Sequence, residues 1–193
     1  MEKIKNYFLI HKKNKSDINE HLDVLYEYSL KCEHITEMGI RWGSSTFAFL
    51  YSNPKKMIGY DVKKTHEIQE IIELCMEYKI DFRFIQEDVL NTSIEETDLL
   101  FIDTLHTYNQ LSKELSLHSK KVKKYIIMHD TTCFGYVNEG VYEHASELIK
   151  NEKTTKEGLV IAIQDFLSIE DGLNWEIDKI LENNNGLTIL KRK

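Results

Sequence analysis

The sequence of 193 residues contains one proline, three cysteines and no surplus of basic side chains. With so little proline and 41% hydrophobic residues, the composition indicates a folded domain rather than a disordered or linker-rich chain. Cys32, Cys75 and Cys133 lie far apart and form no Cys-x-x-Cys pair, which argues against a disulfide framework and a structural zinc site. A reducing, cytoplasmic location is therefore expected.

The charge balance and the lack of long apolar runs argue against two classes of partner. The chain carries 25 basic and 32 acidic residues, a net charge of −7, so we expect no nucleic-acid partner. No stretch approaches the roughly 18 apolar residues that a membrane span requires, and the apolar run 7–10 is too short for a signal peptide. With no linker or repeat, the sequence predicts a single domain, 1–193.

Short apolar runs alternate with segments of helical periodicity along most of the chain. Five runs of strand character, one of them 98–103, end near residues 39, 61, 85, 103 and 128, and amphipathic helical patterns separate most of them. Thr65 is the predicted cap of one of these helices, and a further helix is predicted over 142–150. This alternation predicts βαβ units and a parallel sheet. Two later β-like runs, 175–180 and 186–190, have no helix between them, which predicts a hairpin. The predicted fold is α/β, with a Rossmann-like, doubly wound, mostly parallel sheet of seven strands and a C-terminal antiparallel strand.

Polar residues follow each of the five predicted parallel strands. They are the segment 37–45, Asp61, Glu87 with Asp88, Asp103 with His106, and His129 with Asp130. In such sheets ligands bind beyond the carboxyl ends of the strands, so these residues are candidates for one site. A carboxylate placed like Asp61 is typical of residues that bind a nucleotide ribose. Arg41 replaces the second glycine of a dinucleotide motif, which makes a nicotinamide oxidoreductase the least favoured class.

Three of these segments resemble the motifs of a known family. Glu37-Met-Gly-Ile-Arg-Trp-Gly-Ser-Ser-Thr46 resembles the first motif of class I S-adenosylmethionine-dependent methyltransferases. The resemblance is closest to the branch of cephalosporin-hydroxylase-like and macrolide or rhamnosyl sugar O-methyltransferases. Ile102-Asp-Thr-Leu-His-Thr-Tyr108 is similar to the strand-four motif of that branch, and the segment 128–131 to its strand-five motif. The likeness extends over about residues 16–192.

The resemblance implies S-adenosylmethionine as cofactor and methyl transfer to a sugar or small-molecule hydroxyl, of glycan or natural-product type. It places Glu37, Gly39 and Gly43 at the methionine end of the cofactor. It places Asp61 at the ribose and Asp88 at the adenine. The full implied set of cofactor-binding residues is Glu37, Gly39, Arg41, Gly43, Ser44, Ser45, Asp61, Asp88 and Asp103.

Two ways of activating the acceptor hydroxyl stay open, and Asp103 takes part in both. His106 is the candidate general base, since an unperturbed imidazole titrates near neutrality. Alternatively, Asp103 and Asp130 share Mg²⁺ or another divalent cation that lowers the pKa of the acceptor. His129 stands where metal-binding relatives present acidic or amide oxygens. It is either a ligand better suited to zinc, iron or manganese, or a hydrogen-bonding group.

Two rival functions also stay open. A metal-dependent hydrolase would use Asp103, His106, His129 and Asp130 as ligands, and a non-catalytic subunit would bind the cofactor without transferring its methyl group.

Two segments outside the alternation are predicted to build the acceptor pocket. The first is the N-terminal helix over about residues 16–30, with Ser16 and Asp17 as a cap signal, within a helical extension of residues 1–30. Residues 131–156 are long and polar for a loop, which indicates a substrate lid. A homodimer through an edge strand or the N-terminal helix is a further option that the sequence does not decide.

Overall fold

The computed structural model describes residues 1–140, 147–150 and 154–193. The strands in this part of the chain are β1 (His34–Met38), β2 (Lys56–Asp61), β3 (Phe82–Gln86), β4 (Thr97–Ile102), β5 (Val122–His129), β6 (Trp175–Leu181) and β7 (Leu187–Arg192). The α-helices are α1 (Glu2–Lys13), α2 (Leu22–Ser29), α3 (Ser44–Tyr51), α4 (His66–Tyr78), α5 (Tyr108–His118), α6 (Glu147–Lys150) and α7 (Leu159–Ser168).

The strands form one sheet in the order β3-β2-β1-β4-β5-β7-β6. Strands β1 to β5 are parallel, and β7 runs antiparallel to both β5 and β6. This confirms the predicted Rossmann-like, mostly parallel sheet of seven strands with an antiparallel C-terminal strand. The winding direction reverses between β1 and β4, and ligands bind beyond the carboxyl ends of strands at such a reversal.

Helices cover both faces of the central strands, so β1 and β4 are almost wholly buried, and β4 ends in an apolar run. Because side chains alternate along a strand, Leu99 and Phe101 belong to one core and Leu100 and Ile102 to the other. The first core contains residues of α1 to α4, and the second contains residues of α5 and α7.

Threonine side chains cap the helices that follow β2 and β4. The Thr65 hydroxyl oxygen accepts a hydrogen bond from the backbone N–H of Ile68 at 3.4 Å, at the start of α4. Thr107 does the same for Gln110 at 3.2 Å, at the start of α5. The cap at Thr65 was predicted from the sequence, and the structure confirms it.

The N-terminal 30 residues contain α1, a short 3-10 turn (Asn19–His21) and α2. The Ser16 hydroxyl accepts from the backbone N–H of Asn19 at 3.1 Å, so it caps the 3-10 turn, and the regular helix begins only at Leu22. Helix α1 buries Ile4 and Phe8 in the first core. Among the described residues, none of the helices combines the length and the apolar character that crossing a bilayer requires.

The predicted lid, 131–156, lies only partly within the described residues. Its first portion is tied to the body of the protein, because Leu159 donates its N–H to the carbonyl of Phe134 and Glu139 to that of His106, both at 2.9 Å. Residues 141–146 and 151–153 lie outside the description, and with them part of the helix predicted over 142–150. The role of a substrate lid therefore stays a prediction.

Candidate functional site

A cleft of about 380 Å³ opens at the carboxyl ends of β1 to β4. Pockets for small molecules commonly have volumes of about 300–1,000 Å³. Of the predicted site residues, those that line this cleft are Gly39, Arg41, Asp61, Asp88, Asp103 and His106. Residues that the sequence places far apart thus meet at the reversal point of the sheet.

Gly39 lets the loops after β1 and β4 approach each other. Its φ is +84°, and a Cβ atom there would lie 1.9 Å from the carbonyl oxygen of Asp103. Only glycine tolerates both this conformation and this distance. Gly39 is therefore required by the shape of the cleft floor.

Asp61 ends β2 and organises the loop between β1 and α3. Its Oδ2 accepts the backbone N–H groups of Ile40 at 3.0 Å and Arg41 at 3.1 Å, and its Oδ1 accepts that of Lys63 at 3.0 Å. Since each carboxylate oxygen has two lone pairs, Oδ1 can still accept a hydrogen bond from a ligand.

Glu37 lies behind this loop and is fully buried. Its carboxylate accepts the hydroxyl hydrogens of Ser45 at 2.5 Å and Thr46 at 2.6 Å. Burial raises the pKa of Glu37 to about 8, although both hydrogen bonds act to lower it. The resemblance implies that Glu37 and Ser45 contact a cofactor, and this role stays a prediction. In the structure they bond to each other and fasten β1 to the first turn of α3.

Gly43 and Ser44 contact other parts of the protein rather than the cleft. A Cβ atom on Gly43 would lie 2.5 Å from Cδ1 of Ile71 on α4. The Ser44 hydroxyl lies 2.9 Å from Nδ1 of His11 on α1. The loop residues predicted to surround a cofactor therefore fall into two groups. Gly39 and Arg41 line the cleft, whereas Gly43 and Ser44 contact neighbouring helices.

His106 lies among three carboxylates. Its Nε2 is 3.2 Å from Oδ1 of Asp103 and 3.0 Å from Oδ2 of Asp130. Its Nδ1 is 2.8 Å from Oε2 of Glu139, and the Phe134 ring stacks on it at 5.0 Å. Burial lowers the pKa of His106, but the hydrogen bonds to the three carboxylates raise it to about 12. The three carboxylates thus favour the protonated ring, and the role of His106 as general base stays a prediction.

Asp103, His129 and Asp130 form a group whose ligand atoms lie within 4.8 Å of one another. Nδ1 of His129 is 3.7 Å from Oδ1 of Asp103 and 3.4 Å from Oδ1 of Asp130. Among the described residues, Nε2 of His129 is buried without a hydrogen-bond partner, and Nδ1 of His129 and Oδ1 of Asp130 make only these ion-pair contacts, which lack hydrogen-bond geometry. Orphaned buried polar atoms are uncommon, and here they fit a bound cation.

The donor set of this group distinguishes between cations. An imidazole with two carboxylates suits Mn²⁺, Fe²⁺ or Zn²⁺ better than Mg²⁺, which prefers oxygen ligands alone. Burial raises the pKa of Asp103, but the neighbouring His106 and His129 lower it to about 2, so the carboxylate is ionised.

His21 lies beside this group, and the sequence analysis did not identify it. The residue is fully buried, and its ring meets that of His129 edge-on at 5.4 Å between centroids. Burial and the nearby His129 lower the pKa of His21 to about 4. A single histidine in the N-terminal segment gives no signal in the sequence, and only the tertiary fold brings it to this end of the sheet.

Glu114 and Gln110 form a second polar group that the sequence analysis missed. The fully buried Glu114 accepts hydrogen bonds from the Thr104 hydroxyl at 2.6 Å and from Nε2 of Gln110 at 2.8 Å. Burial raises the pKa of Glu114 to about 7 in spite of these bonds. Thr104 and Gln110 both line the cleft.

Carboxylates predominate among the charged groups that line the cleft. The described acidic lining residues are Asp61, Glu87, Asp88, Asp103 and Glu139, and the basic ones are Arg41 and His106. The Arg41 guanidinium is itself 3.0 Å from the carboxylate of Asp17. Such a cleft favours a ligand that carries positive charge.

Comparisons with known proteins support the fold. The chain matches no protein-family model, and no curated protein matches it either. Among solved structures, an S-adenosylhomocysteine-bound methyltransferase from Podospora anserina is 13% identical with a TM-score of 0.61, over 98% of this chain and 87% of its own.

Two further matches have similar scores. Magnesium protoporphyrin IX methyltransferase from Synechocystis, with bound S-adenosylmethionine, is 12% identical with a TM-score of 0.60, over 90% of this chain and 79% of its own. The N-methyltransferase NodS from Bradyrhizobium japonicum, in complex with S-adenosylhomocysteine, is 14% identical with a TM-score of 0.57, over 93% and 89%. At these identities the likeness shows a shared fold.

Proposed function

We propose that this protein is an S-adenosylmethionine-dependent methyltransferase that acts on the hydroxyl of a sugar or another small molecule. The observation that carries the proposal is the acid-lined cleft at the reversal point between β1 and β4. The sulfonium of the cofactor is cationic, so this charge suits it better than it suits a pyrophosphate. Methyltransferases with the same fold and a bound cofactor or product support the proposal.

Three residues account for the position of the cofactor. Asp61 would accept hydrogen bonds from the ribose hydroxyls, and Asp88 would bind the adenine; both line the cleft. Gly39 admits the methionine end, because no side chain stands between the loops after β1 and β4. Of the cofactor-binding residues that the resemblance implies, Gly39, Arg41, Asp61, Asp88 and Asp103 line the cleft.

Methyl transfer to oxygen is an in-line displacement, in which the bond from oxygen to the methyl carbon forms while the methyl–sulfur bond of the cofactor breaks and S-adenosylhomocysteine leaves. The protein would hold the acceptor oxygen near the methyl carbon and stabilise the charge that develops. Asp103 lines the cleft, where its carboxylate would take the hydroxyl proton and pass it to solvent, and Nε2 of His106 holds that carboxylate from 3.2 Å. We therefore assign Asp103 to the catalytic centre and give His106 the role of holding it.

Asp103, His129 and Asp130 would hold a divalent cation in the same function. Such a cation would supply a lowered pKa for a coordinated hydroxyl. The orphaned buried atoms of His129 and Asp130 support this part of the proposal. The same group also favours a second candidate, a metal-dependent hydrolase, which would bind the metal but not the methyl donor.

Calorimetric titration of the full chain with S-adenosylhomocysteine tests the proposal, with and without Mn²⁺. We expect saturable binding to the wild type. Asp61→Ala should weaken the binding at least about tenfold, because charge-assisted hydrogen bonds to the ribose are lost. Asp23→Ala on α2, which removes a carboxylate paired with Lys12, is the matched control and should bind normally.

The rival functions give different results in the same experiment. Heat with zinc or manganese but none with S-adenosylhomocysteine would reject the methyltransferase and favour the hydrolase. Binding of S-adenosylhomocysteine without turnover of any hydroxyl acceptor would favour a non-catalytic subunit.

A further inference from the structure

A buried amide lies in the corner of the cleft between the end of β3 and the start of α5. Gln110 is 6% exposed and lines the cleft together with Asp88 and Val89. Its backbone N–H is held by the capping hydroxyl of Thr107. The side chain therefore projects from a fixed first turn of the helix.

Glu114 fixes the orientation of this amide. It lies one turn further along α5, and its Oε1 accepts both Nε2 of Gln110 at 2.8 Å and the hydroxyl of Thr104 at 2.6 Å. A carboxylate accepts hydrogen bonds and donates none. With Glu114 ionised, reversing the amide would bring two acceptor oxygens together in a buried place, at a high cost in free energy. The carbonyl oxygen of Gln110 is thus the polar atom left for the cleft.

A second acceptor belongs to the same corner. Oδ1 of Asp88 accepts the backbone N–H of Leu90 at 2.9 Å, which positions the carboxylate at the end of β3. Asp88 and the oriented Gln110 therefore both present acceptors. A ligand group that satisfies two acceptors is a donor with two hydrogens, such as the exocyclic amine of a purine.

We propose that Gln110 is a specificity-determining residue for the nucleoside base, that it accepts a hydrogen bond from a 6-amino group, and that Glu114 is its positioning residue. The inference rests on the proposed function, because it concerns the adenosine part of the methyl donor. A 6-oxo purine would place an acceptor against these acceptors and leave buried polar atoms unpaired. The site therefore distinguishes adenine from hypoxanthine and guanine.

Calorimetry with two probes tests this inference, S-adenosylhomocysteine and its deaminated analogue S-inosylhomocysteine. The titrations are run at about pH 8.5, where Glu114 with its raised pKa is ionised. We expect the wild type to prefer the adenine compound at least about tenfold. Gln110→Leu should reduce the ratio of the two dissociation constants to about threefold or less, because the oriented acceptor is gone.

Two further variants separate this role from a merely structural one. Glu114→Gln is nearly isosteric and should also reduce the ratio, because the amide of residue 110 is then free to reverse. Gln69→Leu is the matched control, since Nε2 of Gln69 pairs with Glu73 at the same 2.8 Å on the exposed face of α4. It should keep the ratio of the wild type.

The outcomes distinguish the two proposals. If the wild type binds S-adenosylhomocysteine but does not prefer it, the role of Gln110 is rejected while the proposed function stands. The same holds if Gln110→Leu and Glu114→Gln both keep the full preference. If the wild type binds neither probe, the proposed function fails and this inference fails with it.

Discussion

Acidic residues in and near the cleft differ in whether the fold buries them or leaves them accessible to a ligand. Glu37 is an acid that the fold keeps away from water, whereas Asp61 and Asp88 are acids that it leaves beside the cleft. Position 39 requires glycine because of its backbone conformation and the close approach of the Asp103 carbonyl. Two predictions belong at this scale.

The first concerns Glu37 and pH. Its pKa is raised from 4.5 to about 8 in the folded protein, so between these values the folded state retains a proton that the unfolded state has released. The free energy of unfolding therefore falls as pH rises through this interval. Glu37→Gln removes this contribution, and its midpoint of urea unfolding should fall less than that of the wild type between about pH 5 and pH 9.

The matched control is Glu77→Gln on α4, which removes an exposed carboxylate paired with Lys3. It should follow the pH dependence of the wild type. If the midpoints of urea unfolding of Glu37→Gln and the wild type change equally with pH, the buried carboxylate is not the cause of the pH dependence.

The second prediction concerns Gly39. Gly39→Ala should lower the free energy of unfolding by more than about 2 kcal/mol, because a Cβ atom would overlap the carbonyl of Asp103 at a positive φ. Gly140→Ala, where a Cβ atom meets no atom of the described residues within 4 Å, should change it by less than about 0.5 kcal/mol. Equal losses for the two variants, measured by denaturant unfolding, would contradict the close approach of the two loops.

Among the secondary structure elements, α4 depends on Thr65, which caps its first turn and also links the helix to the loop beside the cleft. The Thr65 hydroxyl accepts from Ile68 and also donates to the carbonyl of Arg41 at 3.3 Å. The start of the helix and the loop after β1 are thus held by one side chain.

Thr65→Ala should lower the free energy of unfolding by about 0.5–2 kcal/mol, because the first turn of α4 loses its cap. Thr65→Ser keeps the hydroxyl and should retain most of the stability. Thermal unfolding followed by circular dichroism measures both variants, and a Ser variant as unstable as the Ala variant would show that the methyl group matters and the hydroxyl does not.

At the scale of the whole molecule, α1 is part of the main core and not an appendage. Ile4 and Phe8 pack in the same cluster as Phe49 and Phe101, and Tyr7 stacks on Phe47 at 4.6 Å. The segment described from the sequence as an N-terminal extension therefore belongs to the cooperative unit.

Phe8→Ala should lower the free energy of unfolding of the entire protein by about 3–5 kcal/mol in a single transition. Leu9→Ala removes a side chain that is 46% exposed and should have a small effect. A separate early transition for α1, with the main transition unchanged, would show that the helix unfolds independently.

Local sequence patterns are enough to predict the order and type of the elements, because periodicity and capping involve residues that are close together along the chain. The strand predicted at 98–103 is β4 (Thr97–Ile102), the cap at Thr65 is present, and the final hairpin is β6 and β7. The sequence also placed Asp61, Asp88, Asp103 and His106 at the cleft. In a parallel sheet, residues after the strands reach the same edge.

What each of these side chains contacts, and which way its pKa is shifted, follows from the tertiary fold. The pKa of His106 is raised because Glu139, 33 residues away, and Asp130 approach it. Glu37 turns away from the cleft to bind Ser45. Gln110 is oriented by Glu114 inside a packed helix. Burial and charge at a site depend on groups that are distant in the sequence, and local patterns do not contain that information.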